Sequence, residues 1–265
     1  MERKLGINAH ALIGLTALEA LEPIKAAGFE CFFDSMRTLE EMNEIKEKAV
    51  KLGIEYEFIH APFDGINKLL KPGMEYLDIY LRLKKCIDLA AAIDVRTIIL
   101  HVSSGWNPPE LSDIGFSRFD SLVEYAYTKD VTVAFENLRM IGNIAYLADR
   151  YEKTPNVRFC YDIGHEHCYT KYVDMMDIFR ERTIATHIHD NYGRGDEKIG
   201  SPDIHLLPFD GNIDYEKVMR KLDRYNYSGS LMLEVMQSSS EEYKLMSTEE
   251  FLATCYDRIK RISLL

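Results

Sequence analysis

IEYEFIH (residues 54–60), MEYLDIYLRLKKCIDLAAAI (74–93) and RTIILH (96–101) follow one another as strand, helix and strand. The two outer runs are apolar almost throughout, as strands of a parallel sheet covered on both faces are. Between them, Leu77, Leu81, Leu83, Ile87 and Ala91 predict one broad apolar stripe on a helix. Working outward, KLGINA (4–9) and FECFF (29–33) read as earlier strands. VTVAFE (131–136), NVRFCY (156–161), TIATHIH (183–189) and GSLMLEV (229–235) read as later ones. Amphipathic segments separate them, such as LEALEPIKAAG with Leu18, Leu21 and Ile24 at helical spacing. Gly28 and Gly53 stand where left-handed helix C-caps belong, and Thr38 with Glu41 predicts a capping box. Eight strand–helix alternations imply α/β architecture, a (β/α)8 TIM barrel formed by one domain over 1–265. A doubly wound open sheet is the alternative. No GxGxxG, no GxxxxGK[ST] and no low-complexity linker interrupts the pattern.

Composition narrows the function classes. With 46% hydrophobic and 28% charged residues, the chain can bury an ordinary globular core. No apolar run approaches the roughly 18 residues of a membrane span, and MERKLGINAH lacks the apolar core of a secretion signal. The five cysteines are scattered without a CxxC pair, which suits reduced thiols and a cytoplasmic location. A net charge of −11 disfavours nucleic acid as a partner. Nothing in the sequence opposes a homo-oligomer.

The strand ends carry the chemistry. His60, His101, Glu136, His187 and Glu234 lie at the ends of strand runs, and Asp162 follows one directly. Asp162 and His165 form D-x-x-H, and Asp203 and His205 form D-x-H in a loop. Carboxylates and imidazoles are costly to bury unless paired or bound to metal. In a parallel barrel, strand ends converge on the C-terminal mouth, where active sites form. A lone member of this set has an ordinary explanation: a helix-capping Asp, a core His satisfied by backbone, a Glu paired with Arg or Lys. The whole set implies a divalent-metal site. Mixed imidazole and carboxylate donors suit Zn or Mn, with Mg as a further option and one to three ions per chain. Glu136 and Glu234 end strongly apolar strands and are the candidate proton-transfer groups. His187 and His189 share a face by alternation, so periodicity leaves open which one ligates. His10, Phe63, Trp106 and His189 are candidate substrate contacts, with core packing as the plainer reading for both Phe63 and Trp106. Asn137 and Asp190 adjoin candidate ligands and are expected to orient them. Cys160 and Cys168 flank Asp162, and ordinary packing is the expectation for Cys160.

HAPF (60–63), ILH (99–101), FEN (135–137), YDIGH (161–165), HIHDN (187–191), DIHLLPFDGNIDY (203–215) and LMLE (231–234) occur in order. On these motifs the chain resembles the xylose isomerase-like TIM-barrel superfamily over nearly its whole length. That superfamily includes sugar (phosphate) isomerases and epimerases and the endonuclease IV type of AP endonuclease. The epimerase branch implies one metal held by Glu136, Asp162, His187 and Glu234, with both glutamates shuttling a proton and His165 facing substrate. The endonuclease branch implies three zinc ions. The first would take His60, His101 and Glu136. The second would share Glu136 and add Asp162, His187 and Glu234. The third would take His165, Asp203 and His205. The family pattern of His, aliphatic, polar, Asp favours His187 over His189. One departure is visible: Phe209 stands where the family's H-x-x-x-G-x-G loop has its first glycine, so the backbone there is expected to close differently.

Two activities follow as expectations. The first is a metal-dependent isomerase or epimerase of a small sugar, polyol or sugar phosphate, working through an enediolate. The second is an endonuclease IV-like multi-zinc phosphodiester hydrolase. The acidic surface favours the small carbohydrate substrate, and the complete ligand set favours the hydrolase. A barrel that binds sugar without catalysis is disfavoured because both glutamates are present.

Overall fold

The computed structural model describes residues 3–194 and 202–265. Eight parallel strands alternate with helices. The strands are β1 (Leu5–Asn8), β2 (Cys31–Ser35), β3 (Glu55–His60), β4 (Thr97–His101), β5 (Thr132–Glu136), β6 (Val157–Asp162), β7 (Thr183–His187) and β8 (Leu231–Leu233). The helices are α1 (Ala17–Ala26), α2 (Leu39–Leu52), α3 (Leu77–Ala92), α4 (Asp113–Thr128) and α5 (Ile141–Arg150). They continue with α6 (Ile163–Tyr169), α7 (Met175–Phe179), α8 (Tyr215–Arg224), α9 (Glu241–Lys244) and α10 (Thr248–Ser263). From β1 to β7 each strand pairs with its sequence neighbour, and β1 also pairs with β8. The remaining gap is closed by a bridge between Ile188 and Leu233. There the Ile188 N–H donates to Met232 O at 2.8 Å and the Glu234 N–H to Ile188 O at 3.0 Å. The result is a (β/α)8 barrel, and the open-sheet alternative is set aside.

Two apolar cores follow from strand alternation. One lies between the barrel and its helices. The other fills the lumen with Cys31, Phe33, Phe58, Ile99, Ala134, Cys160, Ala185 and Met232. Gly6 supplies the space at β1: a Cβ there would lie 2.5 Å from Met232 Sδ and 2.7 Å from Cys31 Sγ. Phe58, Ile99, Ala134, Cys160, Ala185 and Met232 each stand two residues before a candidate ligand. Residues two apart on a strand share a face. The ligands therefore form the layer directly above the plugged lumen.

Local signals are realised with some shifts. The Thr38–Glu41 capping box is present, and Gly53 (φ 63°) caps α2 in the left-handed conformation. The C-cap of α1 is Ala27, one residue before Gly28. In α3 the buried face is Ile79, Leu83, Cys86, Ile87, Leu89 and Ala90, while Leu81 is 60% exposed. The stripe read from Leu77 and Leu81 was therefore rotated, because Ile79 and Cys86 complete a tighter i, i+4, i+7 row with Leu83. The second strand occupies 31–35, two residues later than FECFF suggested. Among the described residues, no helix is long and apolar enough to cross a membrane.

Candidate metal centre

Strand register sets the ligands side by side. His101 is level with Glu136 across the β4–β5 ladder, and Asp162 is level with His187 across β6–β7. Three groups of side chains result, each offering ligand atoms within 4.8 Å of one another. The first is His60, His101 and Glu136. The second is Glu136, Asp162, His187 and Glu234. The third is His165, His189, Asp203 and His205. Glu136 belongs to two groups and divides its oxygens between them. Its Oε2 lies 3.1 Å from His101 Nε2 and 3.5 Å from His60 Nε2. Its Oε1 lies 3.2 Å from His187 Nδ1 and 3.3 Å from His165 Nδ1.

Both histidines of the HIH motif sit among carboxylates. His187 Nδ1 is 3.5 Å from Glu234 Oε2 and 3.9 Å from Asp162 Oδ2. His189 Nε2 is 3.3 Å from Asp162 Oδ1 and 3.6 Å from Asp203 Oδ1, and its ring stacks on His205 at 3.9 Å. His189 thus enlarges the third group beyond the three residues that the family resemblance implied. Asp162 serves both readings of D-x-x-H at once. Its Oδ1 accepts the His165 N–H at 2.6 Å as the N-cap of α6, while its Oδ2 is buried without a hydrogen-bond partner.

Several rings are oriented by backbone carbonyls. His60 Nδ1 donates to Ala61 O at 3.0 Å, His165 Nδ1 to Asn137 O at 3.0 Å and His205 Nδ1 to Glu234 O at 2.8 Å. A proton placed on Nδ1 leaves the Nε2 lone pair turned to the carboxylates, an arrangement typical of metal-binding histidines. Asn137 donates to Asp162 O at 2.8 Å and accepts the Asp162 N–H at 2.8 Å. Asp190 organises the loop beyond β7. It accepts N–H bonds from Asn191 (2.8 Å), Phe209 (2.9 Å) and Ile213 (3.2 Å). Phe209 has φ 74°. A bulky side chain here takes the left-handed backbone that favours glycine. Its ring is held against Arg261 and Tyr215.

The protonation of this cluster follows its charges. Burial opposes ionisation of Glu136, but His187 and His101 hold its carboxyl well below the usual range. Burial likewise opposes ionisation of Glu234, and His187 and His205 bring it down to about 2. Burial disfavours the cation of His165, yet Asp162 and Asp203 keep its pKa well above the usual imidazole value. At His187 burial is outweighed by Cys160, Glu234 and Glu136. At His205 it is outweighed by Asp203 and Glu234, which raise the pKa to about 9. At His101 burial prevails and lowers it. The carboxylates thus hold protons on imidazoles, and a divalent cation could take the place of those protons. Buried acceptors such as Glu136 Oε2 and Asp162 Oδ2, which lack hydrogen-bond partners, fit such a cation. Cys160 and Cys168 are outside the three groups. Cys160 packs in the lumen, where burial pushes its thiol to about 12.

Above the ligands opens a cavity of about 370 Å³. His10, His60, Phe63, His101, Glu136, His165, Asp203, His205 and Glu234 line it. Asp162, His187 and His189 are fully buried beneath. Phe63 stacks on His101 at 4.4 Å. Trp106 is 55% exposed and lies outside the lining, against Tyr169 and Arg139. His10 Nδ1 is 3.4 Å from the buried Asp34. Ser35, Ser103, Arg139 and Tyr169 are among the lining residues that were not singled out from sequence. Ser35 was within reach of the strand-end rule, had β2 been placed at 31–35.

Solved structures share this architecture at low identity. The 3-keto-D-glucoside 4-epimerase YcjR of E. coli superposes with TM-score 0.73 at 16% identity, covering 100% of both chains. The D-allulose 3-epimerase of Methylomonas sp., solved with D-allulose, gives 0.75 at 14% identity, covering 98% of this chain and 97% of that one. In sequence, the protein y4fM of Sinorhizobium fredii is 32% identical over 200 residues, 66% of this chain. The matched part spans 62% of that relative's length. Residues 21–255 match the family described as xylose isomerase-like TIM barrel. That match runs from within α1 to within α10, and on it the chain belongs to the xylose isomerase-like TIM barrel family.

Proposed function

We propose that this protein is a divalent-metal-dependent isomerase or epimerase of a small sugar, polyol or sugar phosphate. The observation that carries the reading lies within the group Glu136, Asp162, His187 and Glu234. Its two glutamates line the cavity, whereas its Asp and His are sealed below. The four residues would hold one ion, Zn or Mn by donor type, with Mg as the alternative. When bound, such an ion would supply electrophilic stabilisation of negative charge on substrate oxygens. The chain's own part is proton movement. One ionised glutamate takes the proton from the carbon beside the carbonyl. In an isomerisation the same group returns it to the neighbouring carbon. An epimerisation requires the other glutamate to start protonated and to give its proton to the opposite face. The cavity volume falls in the range of small-molecule sites. Epimerases of D-allulose and of a 3-keto-D-glucoside share the fold.

The test is solvent exchange. Metal-loaded protein incubated with a panel of ketoses in deuterated water should place deuterium beside the carbonyl. Glu136→Gln and Glu234→Gln should each slow this by about 100-fold or more, the usual scale of general acid–base catalysis. Exchange that is unchanged in Glu234→Gln removes that residue from the mechanism.

A second reading has its own support. The three groups, with Glu136 shared by the first two, could hold three ions, which suits hydrolysis of a phosphodiester. The net charge of −11 counts against a nucleic-acid substrate. Three zinc ions per chain with cleavage of an abasic-site duplex, and no exchange with any ketose, would establish the hydrolase instead.

A further inference from the structure

Arg139 interrupts an otherwise acidic and imidazole-rich wall. Among the described residues it is the only Lys or Arg that lines the cavity. Its guanidinium carbon lies 4.2 Å from the Trp106 ring centroid and 3.9 Å from that of Tyr169. It also donates to the Tyr169 hydroxyl. That hydroxyl donates to Asp203 Oδ2 at 3.0 Å, and the Tyr169 ring stacks on His165 at 5.4 Å. The cation is therefore held one aromatic ring away from a candidate metal ligand.

Other arginines of the chain pair with carboxylates: Arg37 with Asp34, Arg150 with Asp120, Arg258 with Asp210. Among the described residues no carboxylate pairs with Arg139, and its Nε is buried without a hydrogen-bond partner. Aromatic stacking engages the faces of a guanidinium and leaves its in-plane N–H groups for a planar or tetrahedral anion. A preformed fork loses little rotamer freedom on binding. A fixed, unpaired cation on the wall of a small cavity is complementary to an anionic group on whatever enters.

We propose that Arg139 is the specificity-determining anion anchor of this site, and that the substrate is a sugar bearing a phosphate or carboxylate remote from its reacting carbons. The inference rests on the isomerase or epimerase reading for the sugar, and on Arg139 alone for the charge. The test is calorimetric binding to the metal-loaded protein, with D-fructose, D-fructose 6-phosphate and D-fructuronate, and with D-xylulose and its 5-phosphate. At least one anionic member should bind tenfold or more tightly than its neutral parent. A preference for phosphate over carboxylate, or the reverse, identifies which anion the site takes. Arg139→Gln should abolish the preference by weakening the anionic sugar to the affinity of its neutral parent, and Arg139→Lys should restore part of it. Equal binding of neutral and anionic sugars by the wild type overturns the proposal, as does a preference that survives in Arg139→Gln. Deuterium exchange run in parallel separates the two readings. Arg139-dependent anion binding without exchange sinks the isomerase reading and leaves the anchor standing. Exchange without anion preference does the opposite.

Discussion

Gly164 lies inside D-x-x-H, and a Cβ built on it would come within 2.0 Å of His189 Cε1. Only a residue without a side chain lets that ring reach Asp162 and Asp203. Gly164→Ala should therefore push His189 out of the third group, at a cost of about 1–3 kcal/mol typical of overpacking. If the third group holds an ion, metal content measured by mass spectrometry should fall by that ion, while one held by Glu136, Asp162, His187 and Glu234 should stay. At this scale the sequence was most legible for His, Asp and Glu at strand ends, because burying those types demands a partner. Arg139 and Tyr169 were not legible. Arginine and tyrosine are common on any surface, and what marks this pair is a stack contributed by three separate loops and helices.

The loop after β7 shows how an element can depend on one side chain. Asp190 is fully buried and takes three backbone N–H groups from Asn191, Phe209 and Ile213. Burial raises its pKa against the pull of those donors. Asp190→Ala would strand buried donors, at about 1–3 kcal/mol for each one left unsatisfied. A loss of about 2–4 kcal/mol in chemical denaturation is expected, with Asp203 and His205 losing their fixed positions. An unchanged midpoint and unchanged metal content would show that the loop holds itself. From sequence, Asp190 adjoins a candidate ligand and is expected to orient it. Two of the three groups that donate to its carboxylate, Phe209 and Ile213, lie 19 and 23 residues on, a separation that no local pattern reveals. The rotated face of α3 has a similar origin, since apolar residues stood on more than one side of the helix and tertiary packing chose between them.

For the whole molecule, protons and a bound cation would compete for the same imidazoles. His165 and His187 have pKa values well above normal and His205 has one of about 9. Raised histidines stabilise the metal-free fold fully below their unfolded pKa, and that contribution disappears as pH rises through the folded value. Glu136 and Glu234 are depressed, so their contribution exists above the unfolded carboxylate pKa and is lost as pH falls through their folded values, about 2 for Glu234. Metal-free protein should therefore be most stable in mildly acidic solution, with its melting temperature declining between about pH 6.5 and 9. Metal affinity should run the other way, rising over that interval because ligands must shed protons. Titration in buffers of different ionisation enthalpy would reveal those protons, and an affinity independent of pH would show that the rings are neutral beforehand. Barrel topology was legible because eight apolar runs alternate with amphipathic ones. Its closure was not, because it depends on a single bridge at Ile188 and Leu233.

The lumen packing has a consequence for traffic. Phe33, Phe58, Ile99 and Met232 plug the barrel directly under the candidate ligands, so among the described residues the well is closed at its floor. On the proposed reading, substrate and product would both pass the mouth lined by Phe63 and Arg139. An arriving molecule has to wait until the departing one has cleared the doorway. A ligand lodged only at that rim would obstruct entry and exit alike, without touching a single metal-binding group.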